Sequence, residues 1–417
     1  MRIGVVTTSY PRSDGDHAGN FVAAHVDALR AAGHDVEVIG AHTIASSLFD
    51  GAGAPDELER GGVRAYLAAA RFSARLMREV HRRAAAWDLI VAHWLAPSAL
   101  AAVLATSSSL ASLLSATGLA PPPLAGCARS AMPILAIAHG GDIHTLRRLR
   151  LLAPTLHALR GRDVKLAFVS ADLRDVARAA APGLSAWLDT AIIQPMGIDV
   201  ARFRALRANP TPTGRPNILV VSRLVPVKGV DIAVRALSLM TTDAQLTIAG
   251  DGPERARLEA IATSSDRPKQ IELLGAVDAA PRDRLLASAA CVVIPSRVLP
   301  NGRSEGTPMI ALEALAAGVP VIASAVGGLR ELNGITRVPP DDPRALAAAI
   351  DRVLASIATD PRHAELARPP IDLAELDWSH VSARLLAHAN AASAGALTTA
   401  SEPSICETGD TSNHRTA

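Results

Sequence analysis

Six short apolar runs recur through the second half of the chain, at residues 218–222, 245–249, 271–274, 292–294, 321–323 and 335–338, with helical stretches between them. Strands that alternate with helices are laid down in one direction, and a sheet wound this way is covered on both faces. Its strands therefore read as continuous apolar runs. The same grammar occupies the first half. Residues 2–8 form a buried-strand pattern, 21–32 have helical apolar spacing behind Asn20 as N-cap, and Gly33-His34 turns the chain into a strand at 36–39. Further strands are expected at 88–92, 133–138 and 166–170, the last leading through a helix at 171–180 to Ala191-Ile192-Ile193-Gln194. The fold class that follows is α/β, with two doubly wound Rossmann-like domains facing each other across a cleft. Ligands of such sheets bind beyond the carboxyl ends of the strands.

A length of 417 residues suits two domains plus extras. The polar run 209–217, NPTPTGRPN, reads as a linker, which puts a first domain at 1–200 and a second at 201–376. Residues 391–417 are rich in Ser, Thr, Ala and Gly and read as a disordered tail. A net charge of +2 lacks the density of a nucleic-acid-binding surface. Cys127, Cys291 and Cys406 are odd in number and far apart, so they offer neither a disulfide framework nor a metal knuckle. That usage fits a reducing cytoplasm. Residues 3–6 read as a strand and Pro11 follows too soon for a secretory signal. Residues 94–128 carry no charged side chain, which is long enough to raise a membrane span. Pro97, the run Thr106-Ser107-Ser108-Ser109 and the triplet Pro121-Pro122-Pro123 argue instead for a buried helix followed by a surface insertion, since Ala and Ser insert weakly.

The most informative stretch is 295–328, PSRVLPNGRSEGTPMIALEALAAGVPVIASAVGG. It reads as a strand end, a polar loop, a helix at 308–317, Gly318 past the helix end, and another strand. Glu305 then falls just outside the helix and Glu313 inside it. Eight residues at helical rise separate them by roughly 12 Å, comparable to a nucleoside-diphosphate sugar from ribose to hexose. Gly306 and Thr307 would open the helix and turn their N–H groups toward a phosphate. Paired carboxylates at this spacing are common, and helix dipoles favour an acidic first turn anyway. The framing carries the weight: Pro295-Ser296 before, Glu305-Gly306-Thr307-Pro308 in the middle, and LEALAAGVPVIAS after. The whole string resembles the donor-site signature of retaining GT-B glycosyltransferases of the large fourth family, the sucrose-synthase-like and mannosyltransferase-like enzymes.

Other motifs agree. Arg223-Leu224-Val225-Pro226-Val227-Lys228-Gly229 follows a strand and opens a helix, so its basic pair can converge on one diphosphate, Arg as a planar fork and Lys as a point charge. It resembles the family's R-x4-K pair, which implies neutralisation of the leaving diphosphate. Gly250-Asp251-Gly252-Pro253 matches the family's next turn. Gly275-Ala276-Val277 sits where relatives hold the base with backbone atoms, which makes Val277 a donor-site position. The turn His139-Gly140-Gly141-Asp142 resembles the family's H-G-x-D and implies that His139 stands beside the donor sugar, with Asp142 a candidate helix cap. Gly19 stands in the first glycine loop, where the family often has two glycines and this chain has Ala18-Gly19. Pro195-Met196-Gly197-Ile198-Asp199 resembles the interdomain crossing, and the resemblance implies that a helix at 377–390 returns to the first domain.

The resemblance implies sugar transfer from a nucleotide donor to a hydroxyl with the anomeric configuration kept, the departing phosphate helping to take the acceptor proton. Glu305 would hold hexose hydroxyls and Glu313 ribose hydroxyls. No metal and no cofactor beyond the nucleotide sugar is required. The implied acceptor is a glycan or lipid-linked glycan, and the implied location the cytoplasm, with peripheral contact to the inner membrane face.

Two basic stretches bear on that contact. The helical stretch 63–86 carries Arg71, Arg75, Arg78, Arg82 and Arg83, and residues 144–165 carry Arg147, Arg148, Arg150, Arg160, Arg162 and Lys165. The first reads either as a solvated face or as a surface for an anionic acceptor or membrane, and the second, amphipathic as well as basic, as a membrane-contact surface. His93 at a strand's carboxyl end either meets acceptor or packs locally. A nucleotide-sugar epimerase would want acid/base side chains around the donor sugar that the sequence does not offer. A silent nucleotide-sugar-binding partner would show erosion of the charged groups, yet all four stand. The missing G-x-G-x-x-G disfavours a dehydrogenase.

Overall fold

The computed structural model describes residues 1–12, 19–44, 58, 62–107, 132–206, 214–359 and 372–391. Two parallel six-stranded sheets organise them. The first contains β1 (Arg2–Val6), β2 (Asp35–Ile39), β3 (Leu89–His93), β4 (Ile134–Ala138), β5 (Lys165–Phe168) and β6 (Ile192–Ile193), in the order β2-β1-β3-β4-β5-β6. The second contains β7 (Asn217–Val221), β8 (Gln245–Ala249), β9 (Ile271–Gly275), β10 (Cys291–Ile294), β11 (Val321–Ser324) and β12 (Thr336–Val338), in the order β12-β11-β10-β7-β8-β9. This is the two-sheet GT-B arrangement.

The strand order locates the site before any side chain is considered. In the first sheet the winding reverses between β1 and β3, and in the second between β7 and β10. A crevice opens at each reversal, outside the carboxyl ends of the two strands, because their following connections leave to opposite faces. The loops after β1, β3, β7 and β10 therefore border the cleft.

Burial explains why the strands read as unbroken apolar runs. Every residue of β3, β4, β10 and β11 is buried. In β7, Ile218 and Val220 enter the core shared with the Val230–Leu239 and Pro343–Thr359 helices, while Leu219 enters the opposite core with the Met309–Ala316 helix. Alternate residues thus serve opposite faces, as the pleat requires. Full burial of one such side chain contributes about 1.5–3 kcal/mol.

The chain crosses between the sheets twice, and the crossings lie side by side. Ile198 N–H donates to Leu376 O at 2.8 Å and Trp378 N–H to Ile198 O at 3.2 Å. The Trp378–Asn390 helix then packs on the Asn20–Ala31 helix and on β4 and β5. A third tie is Glu331, which accepts from the N–H groups of Ala171 and Asp172 at 2.7 Å each. A carboxylate from the second sheet's loops thereby satisfies the first amides of the Ala171–Ala180 helix, where its charge suits the helix dipole.

Two sequence expectations meet limits here. The buried helix after β3 is present as Leu100–Ala105, but the insertion beyond it lies at 108–131, outside the described residues, as does the tail from 392. None of the described helices is long and apolar enough to cross a membrane.

Candidate functional site

The loop after β7 makes a short turn at Pro226–Lys228, and Gly229, in left-handed conformation at φ 60°, starts the Val230–Leu239 helix. Opposite it, the loop after β10 carries Glu305. Lys228 Nζ donates to Glu305 Oε1 at 2.9 Å and Oε2 at 2.7 Å, and the Ser296 hydroxyl donates to Oε2 at 3.1 Å. The two charged side chains are only 19% and 13% exposed, so the pair is largely withdrawn from water. Burial by itself pushes the Glu305 carboxyl up. The Lys228 charge and hydrogen bonds, the Ser296 hydroxyl and the Arg223 charge outweigh burial and hold it below its ordinary value.

The Glu305 backbone is fixed from behind by Gly327 and Gly328. Gly327 has φ 47°, and a Cβ there would lie 1.9 Å from Glu305 O; Gly328 N–H donates to that same oxygen at 3.2 Å. Only glycine permits this approach. Ser296, Gly327 and Gly328 all lie within the stretch singled out from sequence, yet nothing in their identity named Glu305 as their target.

The helix at 308–317 needs correcting: it runs Met309–Ala316, with Pro308 as a non-helical N-cap at ψ 131°. Gly306 and Thr307 therefore precede the helix rather than opening it, and the uniform helical rise from Glu305 to Glu313 does not hold. Pro308 is the cause, since a proline forces its predecessor out of the α region. Gly306 and Thr307 instead meet the other sheet. The Thr307 hydroxyl donates to Val169 O at 2.9 Å, and a Cβ on Gly306 would stand 3.2 Å from His139 O.

Glu313 is buried, and its carboxylate lies 3.4 Å from Arg282 Nη1. Arg282 also reaches Asp283, which in turn binds Arg202 at 2.5 Å. Burial raises the Glu313 carboxyl, opposed by Arg282, while Asp283 raises it further. This four-residue network was not visible in the sequence, because its members come from three helices far apart in the chain. Val277, on the loop after β9, is half-buried and lines the same cleft.

On the first sheet's side, His139 follows β4 and lines the cleft. Asp142 does not cap the following helix; Gly140 occupies that position ahead of Gly141–Arg148. The buried Asp142 carboxylate accepts from the N–H groups of Leu95 at 2.7 Å, Gly140 at 3.0 Å and His139 at 3.2 Å. It thus ties the turn carrying His139 to the end of β3. Asn20 likewise proves to be the first helical residue, and Gly19 is the N-cap at φ 72°, where a Cβ would lie 2.2 Å from Ser9 O. His93 does not line the cleft wall but is fully buried behind His139.

The basic stretches are partly engaged elsewhere. Arg82 and Arg83 pair with Glu79, and Arg83 also with Glu37, on the Val63–Arg83 helix and its neighbour. The 144–165 segment is two helices, Gly141–Arg148 and Leu152–Gly161, not one amphipathic face. Arg147 donates across the cleft to Asn301 O at 3.0 Å, and Arg162 donates to Thr106.

Gly19, His139, Arg223, Lys228, Val277, Glu305 and Glu313 all border a cleft of about 1800 Å³ between the sheets. Arg223, Lys228 and Glu305 stand at one reversal point, Glu313 and Val277 line the same side of the cleft, and Gly19 and His139 line the other. Such an arrangement can take an elongated ligand with an anionic middle and hydroxyl-rich ends. Among the described residues no cluster of His, Cys, Asp and Glu is placed to hold a metal ion.

Residues 215–356 match the sequence model of the family described as glycosyl transferases group 1. Over that segment the chain is similar to the family. It is 36% identical over 193 residues to a glycogen synthase of Mycobacterium tuberculosis, covering 45% of either chain. It is 35% identical over 150 residues to a GDP-mannose-dependent monoacylated alpha-(1-6)-phosphatidylinositol monomannoside mannosyltransferase of Corynebacterium glutamicum, covering 33% of this chain and 39% of that one. The chain thus spans less than half the length of these curated relatives. Among solved structures, Anabaena HepE in complex with UDP and glucose superimposes with a TM-score of 0.61 at 18% identity, over 93% of this chain and 98% of that one. Sucrose-phosphate synthase of Thermosynechococcus elongatus gives 0.61 at 20% identity, over 93% and 97%. At such identity these structures share the fold. Arg223, Lys228, Glu305 and Glu313 all fall within the segment that matches the group 1 family model.

Proposed function

We propose that the chain is a retaining glycosyltransferase that moves a sugar from a nucleoside-diphosphate sugar to a hydroxyl of a glycan or lipid-linked glycan. The observation that carries the reading is the meeting of Arg223 and Lys228 with Glu305 at the β7/β10 reversal. Residues 201–376 hold the donor in this account, and residues 1–200 with the helix at 377–390 receive the acceptor. Arg223 and Lys228 face the diphosphate, Glu305 the transferred sugar, Glu313 the ribose, and backbone at Val277 the base. Gly19, Gly306 and Thr307 bring backbone close to the donor from both sides. Lys228 keeps one N–H beyond those on the carboxylate, so it can bridge Glu305 and a phosphate oxygen.

In the reaction the bond from the anomeric carbon to the diphosphate oxygen breaks and a bond to the acceptor oxygen forms on the same face. The electron pair leaves with the diphosphate, whose developing charge Arg223 and Lys228 stabilise. The acceptor proton passes to that diphosphate. The dependence of one similar protein on GDP-mannose, and the UDP and glucose bound in the complex of another, support a nucleotide-sugar donor. The same reading keeps the protein on the cytoplasmic side, where nucleotide sugars are made, with an anionic membrane surface as a partner for the basic helices.

The test is a panel of nucleotide sugars with candidate acceptors, following nucleotide release and the anomeric proton of the product by NMR. The expected result is release of nucleoside diphosphate and a product with the donor's own anomeric configuration. A product of inverted configuration contradicts the proposal.

A further inference from the structure

Behind the cleft wall, three imidazoles form a hydrogen-bonded file. His139 Nε2 lies 3.0 Å from His93 Nδ1, and His93 Nε2 lies 3.1 Å from His25 Nδ1. His93 and His139 are stacked at 5.1 Å between ring centres, and His25 stacks on Trp378 at 5.3 Å with the planes 11° apart. The file therefore runs from the point where the chain crosses between the sheets out to the cleft. Burial keeps all three rings neutral at ordinary pH, joined at His93 and His139 by neighbouring imidazoles: His25 is lowered to about 4, His139 to about 3, and His93 well below its usual value.

A neutral imidazole carries one N–H, so two consecutive bonds allow only two orders. Either every proton points outward, from His25 to His93 to His139, or every proton points inward. The inner end decides between them. His25 Nε2 is buried and has no hydrogen-bond partner among the described residues. The inward order would strand an N–H there, whereas the outward order leaves only a lone pair, and buried donors without acceptors are the rarer and costlier case. The outward order makes Nδ1 the protonated nitrogen of His139, the one not engaged by His93.

We propose that His93 and His25 are positioning residues that fix His139 as a neutral donor through Nδ1–H. His139 then gives a hydrogen bond to an oxygen of the bound sugar or its leaving group and cannot accept the acceptor's proton, because its other nitrogen already receives one from His93. The functional half of this inference rests on the transferase reading; the proton order does not.

The proton order is tested by long-range 1H–15N correlation on histidine-labelled protein at pH 7.5. His25, His93 and His139 are expected all to be Nδ1–H, and an Nε2–H assignment for His139 or His93 overturns the proposal whether or not any transfer is found. The functional test uses His93→Phe and His93→Asn. Phe keeps ring volume but no donor, while the Asn amide can donate from near the Nδ1 position. His93→Phe is expected to lower kcat about tenfold, the worth of about 1.4 kcal/mol, with the donor KM little changed, and His93→Asn to recover most of it. If His93 only packs, Phe outperforms Asn, and that ranking overturns the positioning role.

Discussion

Lys228→Met should destabilise the protein by about 3 kcal/mol and lower sugar transfer by about 10²–10³-fold. The stability loss follows from what remains: a carboxylate withdrawn from water that keeps the Ser296 hydroxyl and the Arg223 charge but has lost the cation hydrogen-bonded to both its oxygens. Glu305→Gln in the same chain removes that stranded charge. The double variant should therefore recover most of the stability while transfer stays low, because neither change restores the Lys228 charge beside the diphosphate. Urea denaturation of the four proteins gives the coupling between the sites. A Lys228→Met protein as stable as its parent would show that the pair is an exposed contact of little consequence.

Acidification should unfold the protein steeply below pH 6.5. His25, His93 and His144 are buried and their imidazoles are lowered, to about 4 for His25 and His144. For His144 burial is the main cause, followed by Arg147 and Arg303. A histidine lowered in the folded state binds its proton only after unfolding, so its contribution is complete above 6.5 and is lost as pH falls from 6.5 toward 4. Each such group removes about 2 kcal/mol between pH 7 and pH 5. Asp142 and Glu313, raised mainly by burial, take up protons in the folded state and offset part of this near their own titration. The urea midpoint measured at pH 7.5, 6.0 and 5.0 should fall at each step, and should fall less in His25→Phe. A flat profile would mean that the rings are accessible to protons in the folded state.

The architecture was legible because it depends on local pattern. All six apolar runs of the second half are strands, and so are those of the first half, within a few residues at each end. Gly318 stands just past the helix end at φ 71°, as its place before Val319-Pro320 suggested. The helix start at Met309 is legible too, since Pro308 bars Thr307 from the helix. What pattern cannot supply is long-range pairing. Lys228 and Glu305 are 77 positions apart and meet because β7 and β10 are neighbours. His25 lay unmarked on the apolar face of a helix, where a histidine gives no sign that a second and third stand in line behind the cleft. Arg282 and Arg202 carry no local sign either that their helices bring them to Glu313 and Asp283.

In the transferase reading the β7/β10 crevice binds a nucleoside diphosphate through Arg223 and Lys228. Calorimetric titration with UDP, GDP and ADP, on the parent protein and on Arg223→Ala, addresses it without need of an acceptor. At least one of the three should bind the parent and bind Arg223→Ala at least tenfold more weakly, the worth of one charge-assisted hydrogen bond of about 1.5–3 kcal/mol. Binding of none of the three, or equal binding by both proteins, would contradict it.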